Sequence, residues 1–98
     1  MTHTDSLDRL FRVILSLKTL EECYALFDDV CTIKELQDMA QRMDTAFLLD
    51  EGMNYQNISK KIGISTATIS RVKRALFDND TYGYTLALDK IAAKNEKL

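Results

Sequence analysis

Residues 53–74 have the sequence MNYQNISKKIGISTATISRVKR, which predicts two short helices joined by a turn. Five apolar residues have the spacing of a helix-turn-helix, in which two helices at roughly 90–120° bury side chains against each other. They are Ile58, Ile62, Ile64, Ile69 and Val72. Gly63 is predicted to form the turn, because glycine adopts a positive φ without steric cost. Ser65 or Thr66 is then expected to cap the second helix.

The same stretch carries a concentrated positive charge. It contains five basic residues and no acidic one, whereas residues 1–52 have a net charge of −6 and residues 75–98 one of −1. The whole chain is therefore acidic, at −2. A phosphate responds to charges within a Debye length of about 8 Å, and phosphate contacts supply much of the affinity for DNA. The local charge predicts double-stranded DNA as the partner.

The predicted DNA contacts fall into two groups. Phosphates are expected to be held by Lys60, Lys61, Lys73 and Arg74, together with backbone amides at the start of the second helix, near Ser65. Base edges are expected to be read by Thr66, Ala67, Ser70 and Arg71, with Tyr55 and Gln56 supporting the approach from the first helix. Arg71 could bind guanine through two hydrogen bonds, or could point back into a dimer. The small side chains indicate that water or DNA shape carries part of the specificity.

The remainder of the chain is predicted to be helical. Apolar residues recur every three or four positions from Leu7 to about Leu17, and again in segments starting at Leu20 and Leu36. Two capping boxes, Thr19–Glu22 and Thr32–Glu35, are expected to begin the second and third helices. The pattern predicts an all-α protein with about six helices.

Turn residues set the remaining boundaries. Gly52 is expected to end the third helix, near Asp50, since glycine is common just past a helix C-terminus. Asp80 or Thr81 is expected to cap the final helix, and residues 95–98 are expected to be frayed.

Length and composition indicate a single domain, residues 1–98, that associates with a second copy. A chain of 98 residues forms a small core. The 46% of residues that are hydrophobic are more than one short helical chain can bury. This excess favours a homodimer.

Several function classes are not supported by the residues present. No apolar run is long enough to span a membrane, and residues 1–5 do not resemble a secretion signal. We therefore expect a cytoplasmic protein in which Cys23 and Cys31 are reduced thiols. With His3 as the only histidine and no glycine-rich phosphate loop, we expect no metal site, no cofactor and no enzyme activity.

Capped helices, a long helix, a glycine and the helix-turn-helix together resemble the Trp repressor family, in particular its YerC/YecD group. The most specific stretch is residues 63–71, GISTATISR, and the resemblance spans most of the chain. It implies an intertwined homodimer that acts as a transcriptional regulator, with repression the expected mode. Two recognition helices would then bind half-sites about one DNA turn, roughly 34 Å, apart.

The resemblance also points to an effector pocket. Trp repressor holds its corepressor between two arginines, and the matching positions are Arg42 and Arg71. The family's glycine after the second arginine corresponds to Val72, and a serine that contacts the ligand's amino group corresponds to Ala75. These differences argue against tryptophan, since a polar ligand that loses a partner loses affinity. Arg42 and Arg71 are expected instead to pair with acids such as Asp38 or Asp44, or to contact phosphate.

Two other interpretations of the helix-turn-helix remain open at the level of sequence. One is a dimeric interaction module that binds another protein through this surface without DNA. The other is an ordinary pair of solvated surface helices. Substituting Arg71 and Lys73 together distinguishes DNA binding from both.

Overall fold

The computed structural model describes residues 1–78 and 81–94, which form six α-helices and no strand. The helices are α1 (Asp5–Leu15), α2 (Leu20–Val30), α3 (Ile33–Asp50), α4 (Tyr55–Ile62), α5 (Thr66–Phe77) and α6 (Gly83–Ala93). The predicted all-α fold is confirmed. Within the described ranges, no helix combines the length and the apolar character needed to cross a bilayer. The cap predicted at Asp80 and the fraying predicted for residues 95–98 lie outside the described residues.

The chain divides into two compact units, residues 1–36 and 37–98. In the first unit, α1 begins at a threonine cap, where the Thr4 hydroxyl accepts from the backbone N–H of Leu7 at 3.1 Å. The helix ends at Leu15, two residues before the predicted boundary. At that point the Ser16 hydroxyl donates to the Val13 carbonyl at 2.6 Å. This bond takes a carbonyl that one more turn of helix would use.

Thr19 and Thr32 cap α2 and α3 as predicted, but only the second capping box is reciprocal. At α2, the Thr19 hydroxyl accepts from the N–H of Glu22, while the Glu22 carboxylate accepts from the N–H of Lys18 at 2.7 Å. The Glu22 carboxylate therefore accepts from Lys18, the residue before the cap, and not from Thr19. At α3 the exchange is reciprocal, because the Thr32 N–H donates to the Glu35 carboxylate at 2.9 Å.

Glycines with positive φ mark both ends of the segment that contains α4. Gly52, at φ +89°, follows α3, and its N–H bonds to the Leu49 carbonyl at 3.0 Å. Gly63, at φ +82°, follows α4, and its N–H bonds to the Ser59 carbonyl at 2.8 Å. The Ser59 hydroxyl also donates to the Ile64 carbonyl at 2.7 Å, which ties the turn to the preceding helix.

A small core holds α4 and α5 in place within the second unit. Of the five apolar residues that define the motif, Ile58, Ile69 and Val72 are buried. Ile62 and Ile64 are half-buried and pack against that core. Among the residues that the structure describes, the other buried apolar side chains are Ala46, Leu49, Leu76 and Leu88. Helices α4 and α5 are therefore supported from both α3 and α6.

Helix α6 is joined to the end of α5 by side-chain hydrogen bonds. The hydroxyl of Thr85 donates to the Leu76 carbonyl at 3.3 Å, and that of Thr81 to the Ala75 carbonyl at 3.1 Å. Thr81 therefore serves the C-terminus of α5 rather than the start of α6. The residue before α6 is Tyr82, whose side chain forms no capping bond.

Candidate nucleic-acid interface

Helix α5 presents a buried face and an opposite, outward face. Its buried face consists of Ile69, Val72 and Leu76, whose spacing of three and four residues keeps them on one side of a helix. The opposite side must then consist of positions 67, 70, 71 and 74. The structure shows all four of these residues exposed: Ala67, Ser70, Arg71 and Arg74. This outward face combines two small side chains with two guanidinium groups.

Ser65, one of the two caps that the sequence allows, caps the N-terminus of α5. The Ser65 hydroxyl accepts from the Thr68 N–H at 3.2 Å and lies 3.1 Å from the Thr68 hydroxyl. Thr66 is the first residue of the helix and is exposed. Partial positive charge at a helix N-terminus favours a nearby anion. A phosphate and the exposed Thr66 side chain would thus be neighbours.

Helix α4 contributes cations at one end and a polar residue at the other. Lys60 and Lys61 are exposed in its last turn, where positive charge suits the helix dipole. At the start, Asn54 caps the helix by accepting from the Asn57 N–H at 2.9 Å, and Gln56 is exposed in the first turn. The three long side chains are therefore available to a partner.

Tyr55 and Lys73 are in contact across the two helices. The Lys73 ammonium nitrogen lies 5.3 Å from the centroid of the Tyr55 ring, within the range of a cation–π interaction. Both residues line an open cleft of about 470 Å³. The cleft is completed by Ser70, Arg74, Phe77 and Asp78. Phe77 is 60% exposed there and is not among the residues predicted to contact DNA. Its position four residues after Lys73 is the signal that could have placed it here.

A second cleft lies on the α3-facing side of α5. Arg42 and Arg71, the predicted effector-pocket arginines, line the same space of about 380 Å³. The other lining residues are Asp38, Gln41, Ile64, Thr68, Val72, Ala75 and Tyr84. Val72 and Ala75, the two positions that depart from the Trp repressor pattern, thus form part of its wall. Arg71 borders both this cleft and the outward face of α5.

Every predicted DNA-binding side chain lies on α4, on α5 or at a helix cap. Tyr55 is half-buried, and the other ten are exposed. The structure places cations that are close in the sequence on different sides of α5. Arg71 and Arg74 share the outward face, whereas Lys73 lies toward the start of α4.

Comparisons with known proteins agree with this architecture. A family model described as Trp repressor protein matches residues 5–92. The protein YerC of Bacillus subtilis (strain 168), itself described as uncharacterized, is 57% identical over 86 residues, which cover 87% of this chain and 81% of YerC.

Two solved structures are also similar. A candidate Trp repressor from Staphylococcus aureus has a TM-score of 0.86 at 44% identity, covering 92% of this chain and 89% of its own. A TrpR-like protein from Eubacterium eligens ATCC 27750 has a TM-score of 0.85 at 44% identity, covering 91% of each chain. The similarity therefore includes both units of the fold.

Proposed function

Because the chain belongs to the Trp repressor protein family, we propose that it is a DNA-binding transcriptional regulator that represses at operator half-sites as a homodimer. The observation that carries this proposal is the exposed, wholly basic surface of α4 and α5. Five cations and no carboxylate lie between residues 53 and 74, and all five cations are exposed. A surface of this kind attracts the phosphate backbone whatever the net charge of the chain.

The faces of α5 support a division of labour among the contacts. Thr66, Ala67 and Ser70 are small enough to let the helix approach base edges, and Arg71 can reach a guanine. Lys60, Lys61, Lys73 and Arg74 surround this set and would bind phosphates. Backbone N–H groups at the capped N-terminus of α5 would also bind a phosphate of the DNA.

A homodimer is supported by the first unit. Neither α1 nor α2 contains a buried residue, yet both have strongly apolar sides. Leu10, Phe11 and Val13 on α1 are exposed, as are Leu20, Tyr24 and Val30 on α2. Exposed apolar area on this scale marks an interaction surface. A second copy of the chain would cover it and would also supply the second recognition helix that a two-half-site operator requires.

The cleft between Arg42 and Arg71 is the place for an effector, if the regulator uses one. Its two guanidinium groups suit an anionic ligand. We do not propose tryptophan, since Ala75 provides no hydroxyl for the ligand's amino group and Val72 forms the wall where the family has glycine. A pairing of either arginine with Asp38 or Asp44 remains a prediction.

The experiment that tests the proposal is selection of bound duplexes from a random pool at stated salt, followed by titration of the recovered duplex. Arg71→Ala combined with Lys73→Ala should weaken binding by about tenfold or more, because each chain loses a base contact and a phosphate contact. Lys90→Ala combined with Lys94→Ala removes the same charge outside α4 and α5 and serves as the matched control. Circular dichroism would verify that both variants fold.

Two results would contradict the proposal. One is failure to recover any duplex at low salt from a folded dimer. The other is equal affinity of the two double variants for the recovered duplex, which would leave the basic surface without a role in DNA binding. In either case the surface would have to serve another partner, such as a protein.

A further inference from the structure

Lys73 has a defined neighbour within the basic surface. Its ammonium lies over the ring of Tyr55, 5.3 Å from the centroid. Tyr55 is itself half-buried and packs against the core. The ring is therefore a packed platform at the first residue of α4, next to a long side chain from the second half of α5.

The position of Lys73 on α5 explains why such a platform matters. It does not belong to the outward face, which consists of Ala67, Ser70, Arg71 and Arg74. It projects instead into the cleft on the α4 side, where Phe77 lies one turn further along the helix. A lysine side chain loses rotamer entropy when it is held in one place. A contact that orders Lys73 before DNA arrives removes part of that cost from the binding step.

We propose that Tyr55 is a positioning residue that holds the Lys73 ammonium ready for a DNA backbone phosphate, and this inference rests on the proposed DNA-binding function. An ammonium has three N–H donors, so the contact with the ring leaves donors for phosphate oxygens. Arg74 lines the same cleft and is exposed, so the phosphate would meet Lys73 on the side where Arg74 lies.

The test is a double-mutant cycle on DNA affinity, measured with a duplex recovered by selection. Tyr55→Leu removes the ring and should weaken binding about two- to fivefold, the fold-change that corresponds to an exposed cation–π contact. Tyr55→Phe restores the ring without the hydroxyl and should recover most of the loss. In a Lys73→Met background, Tyr55→Leu should cost nothing further, because the side chain that the ring positions is gone.

A second substitution keeps the test independent of core packing. Replacement of Tyr55 by pentafluorophenylalanine retains the shape of the ring and reverses its quadrupole, which is the source of the attraction for a cation. This variant should bind DNA as weakly as Tyr55→Leu, while Tyr55→Phe binds more tightly. The ring contact can also be read without DNA, since the Lys73 ε-methylene protons should resonate upfield in wild type and not in Tyr55→Leu.

Each failure identifies a different error. If Tyr55→Phe is as weak as Tyr55→Leu, the hydroxyl contacts DNA directly and the positioning role is wrong. The positioning role is also wrong if Tyr55→Leu weakens DNA binding equally in the wild-type and Lys73→Met backgrounds. If the Lys73 ε-methylene protons of the wild type are not shifted upfield, the contact between Lys73 and Tyr55 does not form in solution. If wild type binds no duplex at all, the proposed function fails, and this inference fails with it.

Discussion

At the scale of single residues, a few side chains with specific hydrogen bonds determine where helices begin. Glu35 is an example, because its carboxylate accepts from the backbone N–H of Thr32 and stays exposed to solvent. Hydrogen bonds from Thr32, its backbone first and its side chain second, lower the pKa of Glu35 below the ordinary value of 4.5. The charged form is thus the one that favours the folded state.

The lowered pKa of Glu35 predicts a pH-dependent effect of Glu35→Gln. A carboxyl whose pKa is depressed on folding stabilises the protein above its unfolded pKa, and that contribution is lost as the pH falls through the folded pKa. Glutamine retains a capping oxygen but carries no charge. We therefore expect Glu35→Gln to lower the melting temperature at pH 7, and the difference from wild type to shrink as the pH falls through the lowered pKa of Glu35. Thermal unfolding across this pH range measures it.

The matched control for this prediction is Glu21→Gln, which removes the same charge in the first turn of α2. A reduction in melting temperature that is independent of pH for Glu35→Gln would show that the charge of Glu35 is not the cause.

At the scale of elements, the helix-turn-helix is held together by its turn as much as by its core. Gly63 has φ +82°, and the Ser59 hydroxyl bonds to the carbonyl of Ile64 just beyond it. A Cβ at position 63 would meet nothing within 4 Å, so space does not require glycine there. The backbone conformation does require glycine, because the left-handed region is sterically unfavourable for other L-residues.

Gly63→Ala is therefore expected to destabilise the protein by about 1–2 kcal/mol through backbone strain alone. Gly83→Ala is the matched control, because Gly83 also has open space for a Cβ and does not have a positive φ. At the first residue of α6, alanine should be neutral or stabilising by up to about 1 kcal/mol. Urea unfolding of both variants measures the difference. Equal stabilities would rule out strain at the turn as the reason for glycine.

At the scale of the whole molecule, the two units differ in how their apolar residues are used. The second unit buries Ile58 and Ile69 completely. In the first unit, α1 and α2 leave every residue at least partly exposed. Apolar helices that bury no residue fully within their own chain gain stability when another surface covers them. Folding of the first unit and dimerisation are thus expected to be linked.

Phe11→Glu tests this link. Phe11 is 45% exposed, and a charge there would be buried without a partner if a second copy covers α1. We expect the variant to be largely monomeric by light scattering and to bind DNA more weakly, since half-site binding loses its second copy. Ser6→Glu adds the same charge to the exposed first turn of α1, where it suits the helix dipole, and should leave the dimer intact. A dimeric Phe11→Glu variant would exclude α1 from the interface.

The proposed binding of DNA by a dimer predicts a specific salt dependence. If Lys60, Lys61, Lys73 and Arg74 each bind a phosphate, a dimer neutralises about eight, and log K against log salt has a slope of roughly −7. Lys60→Ala with Lys61→Ala should reduce the slope to roughly −4, whereas Lys90→Ala with Lys94→Ala should not change it. A wild-type slope near zero would show that these cations do not contact phosphate.

The sequence by itself determined which residues become helix, turn and charged surface. Helical spacing of apolar residues, two capping boxes, Gly52 and Gly63 are local features, and local hydrogen bonds and backbone preferences are enough to realise them. The basic stretch could be identified for the same reason, since its charge depends on composition alone.

Only the tertiary structure decided which side of each helix is available. Helix α1 ends two residues before the predicted boundary, where the Ser16 hydroxyl bonds to the Val13 carbonyl. The Thr81 hydroxyl bonds to a carbonyl near the end of α5 and does not cap α6. Packing of α4 against α5 brings Lys73 over Tyr55, eighteen residues away in the chain. Contacts between distant residues depend on how buried faces meet, and no periodicity along the chain specifies that meeting.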